Sequence, residues 1–472
     1  MGDVDIPAGV SEQLCDINLE IRTFLEKFAN FRQTNVVDSV LCQNLCQLVE
    51  EIESYMDSNP EEIPSPMLSD VNIDFKKNHL EQVVFCNKCQ VKIANRVHKI
   101  RKHLTSEKHI SGQIKGERDH ATKQVKLPKK MAAFVRSNFS EYLTGTAATA
   151  DALKQIPAYD AIRNSLTRAL KNIYPNMKVH FFGSRMNGLG NKDSDLDIFI
   201  DIDDKYNTLL GSKQAKQNVQ LVQNELQKRT DEWRAFTAIL SARTPILRVY
   251  NHKHSIDCDI SFSSLGECNT LLISYLIGLQ PICQQMCLFL KKWFKTSQCP
   301  ESFSSYMFSL MVIFHLQRQS YLPAVFVLQH CVDPSCIGPW QGNFARLPLA
   351  EFNMEKIPQT PENILQQLIS FFNFYASVDY ANNIICPFTG SLVVRKNFNN
   401  MKEVFARYDY YRLNSAEKEE LRLGTPICIQ DPLEHNHNVA KAITNKALSS
   451  FANICRLTAM ELKIRQQSEN KK

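Results

Sequence analysis

Four things are missing from this 472-residue sequence, and each narrows the class of function. There is no unbroken apolar run of membrane-spanning length. The longest, Leu271–Leu290, is interrupted at Gln280-Pro281 and again at Gln284-Gln285. A bilayer-crossing helix needs about 20 consecutive apolar residues, so two core helices meeting at Pro281 are expected, with no membrane partner. The first residues, MGDVDIPAGVSEQ, have neither a basic start nor an apolar stretch, which argues against a signal peptide. Nor is the Met-Gly opening a myristoylation signal, because position 6 is Ile6 and not Ser or Thr. Charge bias is weak as well: 55 Lys+Arg against 49 Asp+Glu leave only +6, so whole-chain electrostatics select no partner. Without a secretory leader, the 15 cysteines are expected to be reduced thiols in cytosol, nucleus or mitochondrial matrix. A hydrophobic content of 44% and a charged content of 22% fit a globular protein of two or three domains.

What is present centres on Val179–Asp201, VHFFGSRMNGLGNKDSDLDIFID. Val179–Phe182 read as a strand that stops at the tight turn Gly183-Ser184. Ten residues later, Asp195-Leu196-Asp197 opens a second strand. Its alternation sends Leu196, Ile198 and Ile200 into a core and leaves Asp195 and Asp197 on the opposite face. Two carboxylates so placed repel each other unless a cation lies between them, and oxygen ligands suit Mg2+ or Mn2+. The Gly-Ser turn offers N–H groups and a hydroxyl to a polyphosphate. A third acidic strand, SIDCDISFS, carries Asp257 and Asp259 on one face and Ile256, Cys258, Ile260 and Phe262 on the other.

The apolar strand, Gly-Ser, spacer and Asp-x-Asp resemble the signature of the DNA polymerase β nucleotidyltransferase superfamily. That resemblance implies a triad of Asp195, Asp197 and a third acid that binds two divalent ions. Asp-Ile-Ser-Phe matches at Asp259, with Asp257 as the fallback, since both face the same way. Over residues 130–460 the resemblance narrows to terminal uridylyltransferases and poly(A) polymerases. It implies that Asn269 and Thr270 meet the ribose hydroxyls, and that Lys291 and Lys295, four apart on one helix face, reach the triphosphate. It further implies that Ser305 touches phosphate and that the Tyr306 ring stacks on the base. In Asp431-Pro432-Leu433-Glu434-His435-Asn436-His437-Asn438-Val439, His437 falls where uridylyltransferases place a histidine beside the base. Asp431 would accept from the uracil ring N–H, and His435 reads as a surface residue. The chain departs from many relatives at Trp340-Gln341 and at Ser263.

Upstream, residues 1–58 read as a helical region and 59–80 as a linker. Cys86-x-x-Cys89, thirteen intervening residues, and His103 and His109 at a five-residue interval fit a structural Zn2+ site within residues 81–112. His98 is an alternative third ligand. The long loop and wide His spacing resemble the matrin-type finger, a family associated with RNA. Lysines and arginines run on densely through the basic linker 113–130, a composition that favours phosphate backbones. They also suit nuclear import, so a nuclear location is expected ahead of a cytoplasmic one. The catalytic module with this finger partly resembles the nuclear uridylyltransferases of small nuclear RNA.

The expected fold is α+β: a polymerase β-like nucleotidyltransferase domain (154–264) and a helical central and PAP-associated domain (131–153 and 265–460). A two-Cys two-His finger precedes them and a tail (461–472) follows. The expected function is template-independent addition of UMP from UTP to RNA 3′ ends, with Mg2+ or Mn2+. Adenylyl addition on the same fold, an inactive RNA-binding relative and a second-messenger synthase are the alternatives. A helix over Asp203–Arg234, strands at Phe236–Leu240 and Ile246–Tyr250, and a weak point at Gly145–Thr149 complete the expectations.

Overall fold

The computed structural model describes residues 73–74, 83–86, 91–94, 127–202, 212–297, 303–337, 340–401, 404–414 and 419–469. The chain divides into two compact units, Met1–Val125 and Lys126–Lys472. Within the first, β1 (Ile73–Asp74), β2 (Val83–Cys86) and β3 (Val91–Ala94) form an antiparallel sheet in that order. Cys86 ends β2 opposite Val91. Cys89, His98, His103 and His109 lie outside the described residues, as do residues 1–58 and the linker through Lys126.

The second unit begins with three helices: α1 (Lys129–Arg136), α2 (Phe139–Ala152) and α3 (Pro157–Leu170). Helix α2 runs straight through Gly145–Thr149, where a weak point was expected. Thr149 donates its hydroxyl back to Gly145 O at 2.9 Å, and buried Phe139, Leu143 and Ala150 anchor one face. Packing overrides low intrinsic propensity here.

Then come β4 (Lys178–Phe182), the short α4 (Ser184–Asn187), β5 (Leu196–Asp201), α5 (Ser212–Leu226), β6 (Trp233–Ile239), β7 (Ile246–Asn251) and β8 (Ile256–Ser261). They build one five-stranded sheet, β4-β5-β8-β7-β6, in which only β5 and β8 run parallel. Leu196, Ile198 and Ile200, with Cys258 and Ile260, are fully buried on the face covered by α3 and α5. Each such side chain contributes about 1.5–3 kcal/mol by leaving water, which locks the register and leaves the acids on the other face. The helix expected to reach Arg234 ends at Leu226. Trp233 instead opens β6 as a buried residue whose indole N–H donates to Ser165 Oγ at 3.1 Å.

Helices α6 (Leu265–Leu279) and α7 (Ile282–Thr296) meet at Pro281 with a bend of 117°. Among the described residues no single helix is long and apolar enough to cross a membrane. Beyond them lie α8 (Ser305–Arg318), α9 (Val325–His330), the two-residue strands β9 (Cys336–Ile337) and β10 (Trp340–Gln341), and α10 (Pro361–Ser377). The hairpin β11 (Asn383–Cys386) and β12 (Ser391–Val394) follows, then α11 (Tyr408–Asn414) and α12 (Asn445–Glu469). Trp293 anchors this helical core, with its ring 4.9 Å from Phe372 and its N–H on Thr458 Oγ1 at 3.0 Å. Helix α12 continues to Glu469 through residues expected to be a tail. Leu462 is buried there, and Glu461 takes two hydrogen bonds, 2.8 and 2.6 Å, from Arg136.

Candidate active site

The sheet register assembles the acids. Asp197 on β5 faces Phe182 of β4 on one side and lies level with Asp259 of β8 on the other. Asp195 stands just ahead of β5. Asp257 shares their face but is exposed and pairs with Tyr250, so Asp259, not Asp257, is the acid beside Asp197. The turn closing β4 explains the Gly-Ser signature. Gly183 has φ +78 and ψ −159, and a Cβ on it would lie 1.8 Å from Asp197 Oδ2. No side chain fits between the turn and that carboxylate. The Gly183 N–H donates to Thr270 Oγ1 at 2.8 Å, and Thr270 donates to Gly266 O at 2.7 Å.

Crowding of negative charge shows in the proton affinities. Burial first, then the charges of Asp259 and Asp195, push Asp197 up to about 7. Burial and Asp259 also raise Asp195. The principal compensation is Arg248 on β7, which the sequence reading did not single out. Its Nε and Nη2 donate to the two Asp259 oxygens at 3.0 Å each, and Nη2 is 4.0 Å from Asp195 Oδ2. Its one sequence signal is an arginine between Leu247 and Val249, on a strand adjoining the acidic one.

A cavity of about 300 Å³ opens beside the acids. It gathers Gly183, Ser184, Asp197, Asn269, Thr270, Lys291, Ser305 and Tyr306 from five separate elements or their ends. Asn269 Oδ1 is buried and has no hydrogen-bond partner among the described residues, so it is a ready acceptor. Thr270 is less available, because its hydroxyl already clamps Gly183. Lys291 donates to Leu189 O at 3.1 Å; burial and Lys295 lower its proton affinity, while Asp195 and Asp197 raise it. Lys295 stands outside this cavity and lines, with Lys291, Lys292 and Lys192, an adjoining opening of about 790 Å³.

Neither Asp431 nor His437 lines the smaller cavity; they connect to it through Tyr306. The Tyr306 hydroxyl donates to Asp431 Oδ2 at 2.8 Å, while Asp431 Oδ1 accepts from the Leu433 and Glu434 N–H groups at 2.9 Å each. Asp431 is therefore committed to shaping its own turn and holding Tyr306, not free to accept from a base as expected. His437 is half-buried, its Nδ1 has no hydrogen-bond partner, and burial, then nearby Arg243 and Lys441, hold its ring neutral down to about 3. His435 is not a surface residue: it is 3% exposed and packs 4.1 Å from the Phe388 ring and 4.9 Å from the Tyr411 ring. The turn after Pro432 points this side chain inward, where stacking and an apolar wall outweigh its polarity.

Three further side chains hold the site together without having been read from the sequence. Buried Arg185 donates to Ser194 O (2.6 Å) and Lys192 O (2.9 Å), fixing the ten-residue spacer. Arg243, from the β6–β7 connection, pairs with buried Glu434 and so ties the sheet to the Asp431–Val439 turn. Asn438 accepts from Ile429 N and Ala440 N and donates to Ile427 O, Arg422 O and Thr425 Oγ1, stapling that turn.

In donor chemistry, Asp195, Asp197 and Asp259 suit a hard divalent cation. Among the described residues no three His, Cys, Asp or Glu side chains already converge as a metal cage. Both Asp259 oxygens accept from Arg248.

Two family models match the chain: "Poly(A) RNA polymerase, mitochondrial-like, central palm domain" over residues 146–277 and "Cid1 family poly A polymerase" over 363–437. These two segments are similar to the central palm and the associated domain of poly(A) polymerase-like proteins. Curated relatives include Protein HESO1 of Arabidopsis thaliana, 24% identical over 303 residues (60% of this chain, 55% of that protein). Another is Terminal uridylyltransferase 7 of Homo sapiens, 24% identical over 327 residues (65% of this chain, 20% of that protein). The chain thus spans only part of the length of these relatives, 55% and 20%. The crystal structure of mtPAP in complex with UTP superposes with a TM-score of 0.56 at 19% identity, covering 74% of both chains. The fold is shared with that structure.

Proposed function

We propose that the chain is a template-independent RNA 3′-terminal uridylyltransferase, adding UMP from UTP to RNA ends. The observation that carries nucleotidyl transfer is the level pairing of Asp197 and Asp259 across two parallel strands, beside a glycine turn and a cavity rimmed by Asn269, Lys291 and Tyr306. The three aspartates would hold Mg2+ or Mn2+, which when bound would acidify a hydroxyl and neutralise a leaving pyrophosphate. The protein's own contribution is positioning and charge compensation. Asn269 Oδ1 accepts a ribose hydroxyl, the Tyr306 ring offers a stacking face, and Lys291 neutralises phosphate. With the Gly183 N–H committed to Thr270, Ser184 and Ser305 are left to meet the phosphates.

Preference for uracil rests on His437. Its neutral ring offers an N–H donor suited to a uracil carbonyl, where adenine presents an amine. The turn that carries it is coupled to Tyr306 through Asp431. A mismatched buried donor costs about 1–3 kcal/mol. RNA contact by the basic segment 113–130, structural zinc on Cys86, Cys89, His103 and His109, and a nuclear location belong to the same proposal and rest on the sequence. An RNA primer incubated with equimolar ribonucleotides should receive mostly U. Mostly A would replace the uridylyl reading with the adenylyl one.

A further inference from the structure

Arg248 is placed with more care than a passing surface ion pair. It stands opposite Asp259 in the antiparallel β7–β8 register, and its fork meets both carboxylate oxygens at 3.0 Å. Nη2 also reaches to 4.0 Å from Asp195 Oδ2. The pair is sealed on one side only: the Asp259 side chain is 12% exposed, whereas Arg248 is 48% and Asp195 44% exposed, so the guanidinium itself faces the open side of the acid cluster. A bidentate guanidinium occupies the carboxylate lone pairs that an ion would need. Two other nearby cations are engaged elsewhere: Lys291 donates to Leu189 O, and Arg185 to Ser194 O and Lys192 O.

We propose that Arg248 is a tethered counter-cation of the triad. It holds Asp259 in the metal-free protein and must surrender at least one Asp259 oxygen before a divalent ion can bind. It therefore keeps three like charges from destabilising the interior strands β5 and β8, and at the same time weakens metal affinity. This rests on the reading of Asp195, Asp197 and Asp259 as the metal-binding acids. Arg248 is a positioning residue: it acts on the ion and the substrate through the acids it holds, chiefly Asp259.

The test is a Mn2+ titration of the full chain, following free Mn2+ by electron paramagnetic resonance, with thermal melts in the absence and presence of Mn2+. Arg248→Gln should bind Mn2+ about tenfold more tightly, equivalent to about 1.4 kcal/mol. Its metal-free form should melt earlier than wild type, and Mn2+ should raise its Tm by more. Arg248→Lys keeps the charge without the fork and should fall between the two; it carries the affinity comparison if the glutamine variant does not fold without metal. Unchanged or weaker Mn2+ binding in both variants would overturn the inference. Failure of the metal reading itself looks different: wild type would bind no Mn2+ at this site, and Asp197→Asn would leave the titration unchanged.

Discussion

Replacing Gly183 with alanine should disable the site while sparing the fold, and the structure says by how much. The backbone at φ +78, ψ −159 lies in a region that is essentially restricted to glycine, with a cost on the order of 1–3 kcal/mol for any other residue. The added methyl would also sit 1.8 Å from Asp197 Oδ2 and 2.6 Å from its Cγ. The Asp197 main chain cannot retreat, because it is held between Phe182 and Asp259 in the ladder. Its carboxylate must rotate, at about 0.5–1.5 kcal/mol for leaving its rotamer well. Together these come to about 1.5–4.5 kcal/mol, below the 5–15 kcal/mol of a typical domain, so the variant should fold with a lower Tm. If about 2.7 kcal/mol of that appears as misplacement of Asp197 in the transition state, kcat falls about 100-fold. Primer extension under saturating UTP, alongside a thermal melt, measures both. A variant within about threefold of wild-type kcat would refute the claim that Gly183 exists to make room for Asp197.

Gly145 supplies the opposite expectation: nothing lies within 4 Å of its added Cβ, and it sits inside α2, so Gly145→Ala should stabilise by about 0.5–1 kcal/mol in urea unfolding. Between the two acids on β8, Asp259→Asn should abolish nucleotide addition and Asp257→Asn should retain most of it; the reverse result would assign the third role to Asp257. Burial holds His315 down to about 3 from its usual 6.5, so its contribution to stability is complete above pH 6.5 and is lost as pH falls towards 3. The stability gap between wild type and His315→Gln should therefore narrow by about 2 kcal/mol between pH 7.5 and pH 5, and a gap independent of pH would contradict a buried neutral imidazole. For the N-terminal third, metal analysis of residues 70–125 should find about one zinc per chain, lost in Cys86→Ser.

The parts of the site that were legible in the sequence are those written in local periodicity. Alternation in LDIFID and IDCDIS separates buried aliphatics from carboxylates, because a strand's side chains repeat every second residue. Pro281 marks the break between α6 and α7, because a proline cannot continue the preceding helix. Misreadings arose where tertiary contacts overrule composition. His435 sits among polar, turn-prone neighbours, yet an aromatic wall formed by Phe388, Phe405 and Tyr411 encloses it. The stretch Gly145–Thr149 has poor helix propensity, yet α2 is fastened by the residues on either side of it.

The least legible features are the arginines, and the reason is general. Arg185, Arg243 and Arg248 each act at a distance in sequence or across a ladder: on the spacer carbonyls, on Glu434 and on Asp259. A carboxylate announces itself by its company on one strand face, whereas a guanidinium at the end of a long side chain finds its partner only once the strands are in register. Arg248 illustrates the consequence. Read along β7 it is a polar interruption in an apolar strand; read across to β8 it is a positive charge set against Asp259 and Asp195. The acids state what chemistry the site is suited to. Arg248 holds Asp259 and Arg243 holds Glu434, so charge-conserving and charge-removing substitutions at the two should separate metal affinity from nucleotide preference. Arg248 variants should move the first and leave the ratio of U to A incorporation unchanged. Arg243→Gln, which leaves Glu434 buried without its partner, should lower that ratio and leave Mn2+ binding as it was. Coupled changes in both properties from either substitution would mean that the two ends of the site are held as one unit.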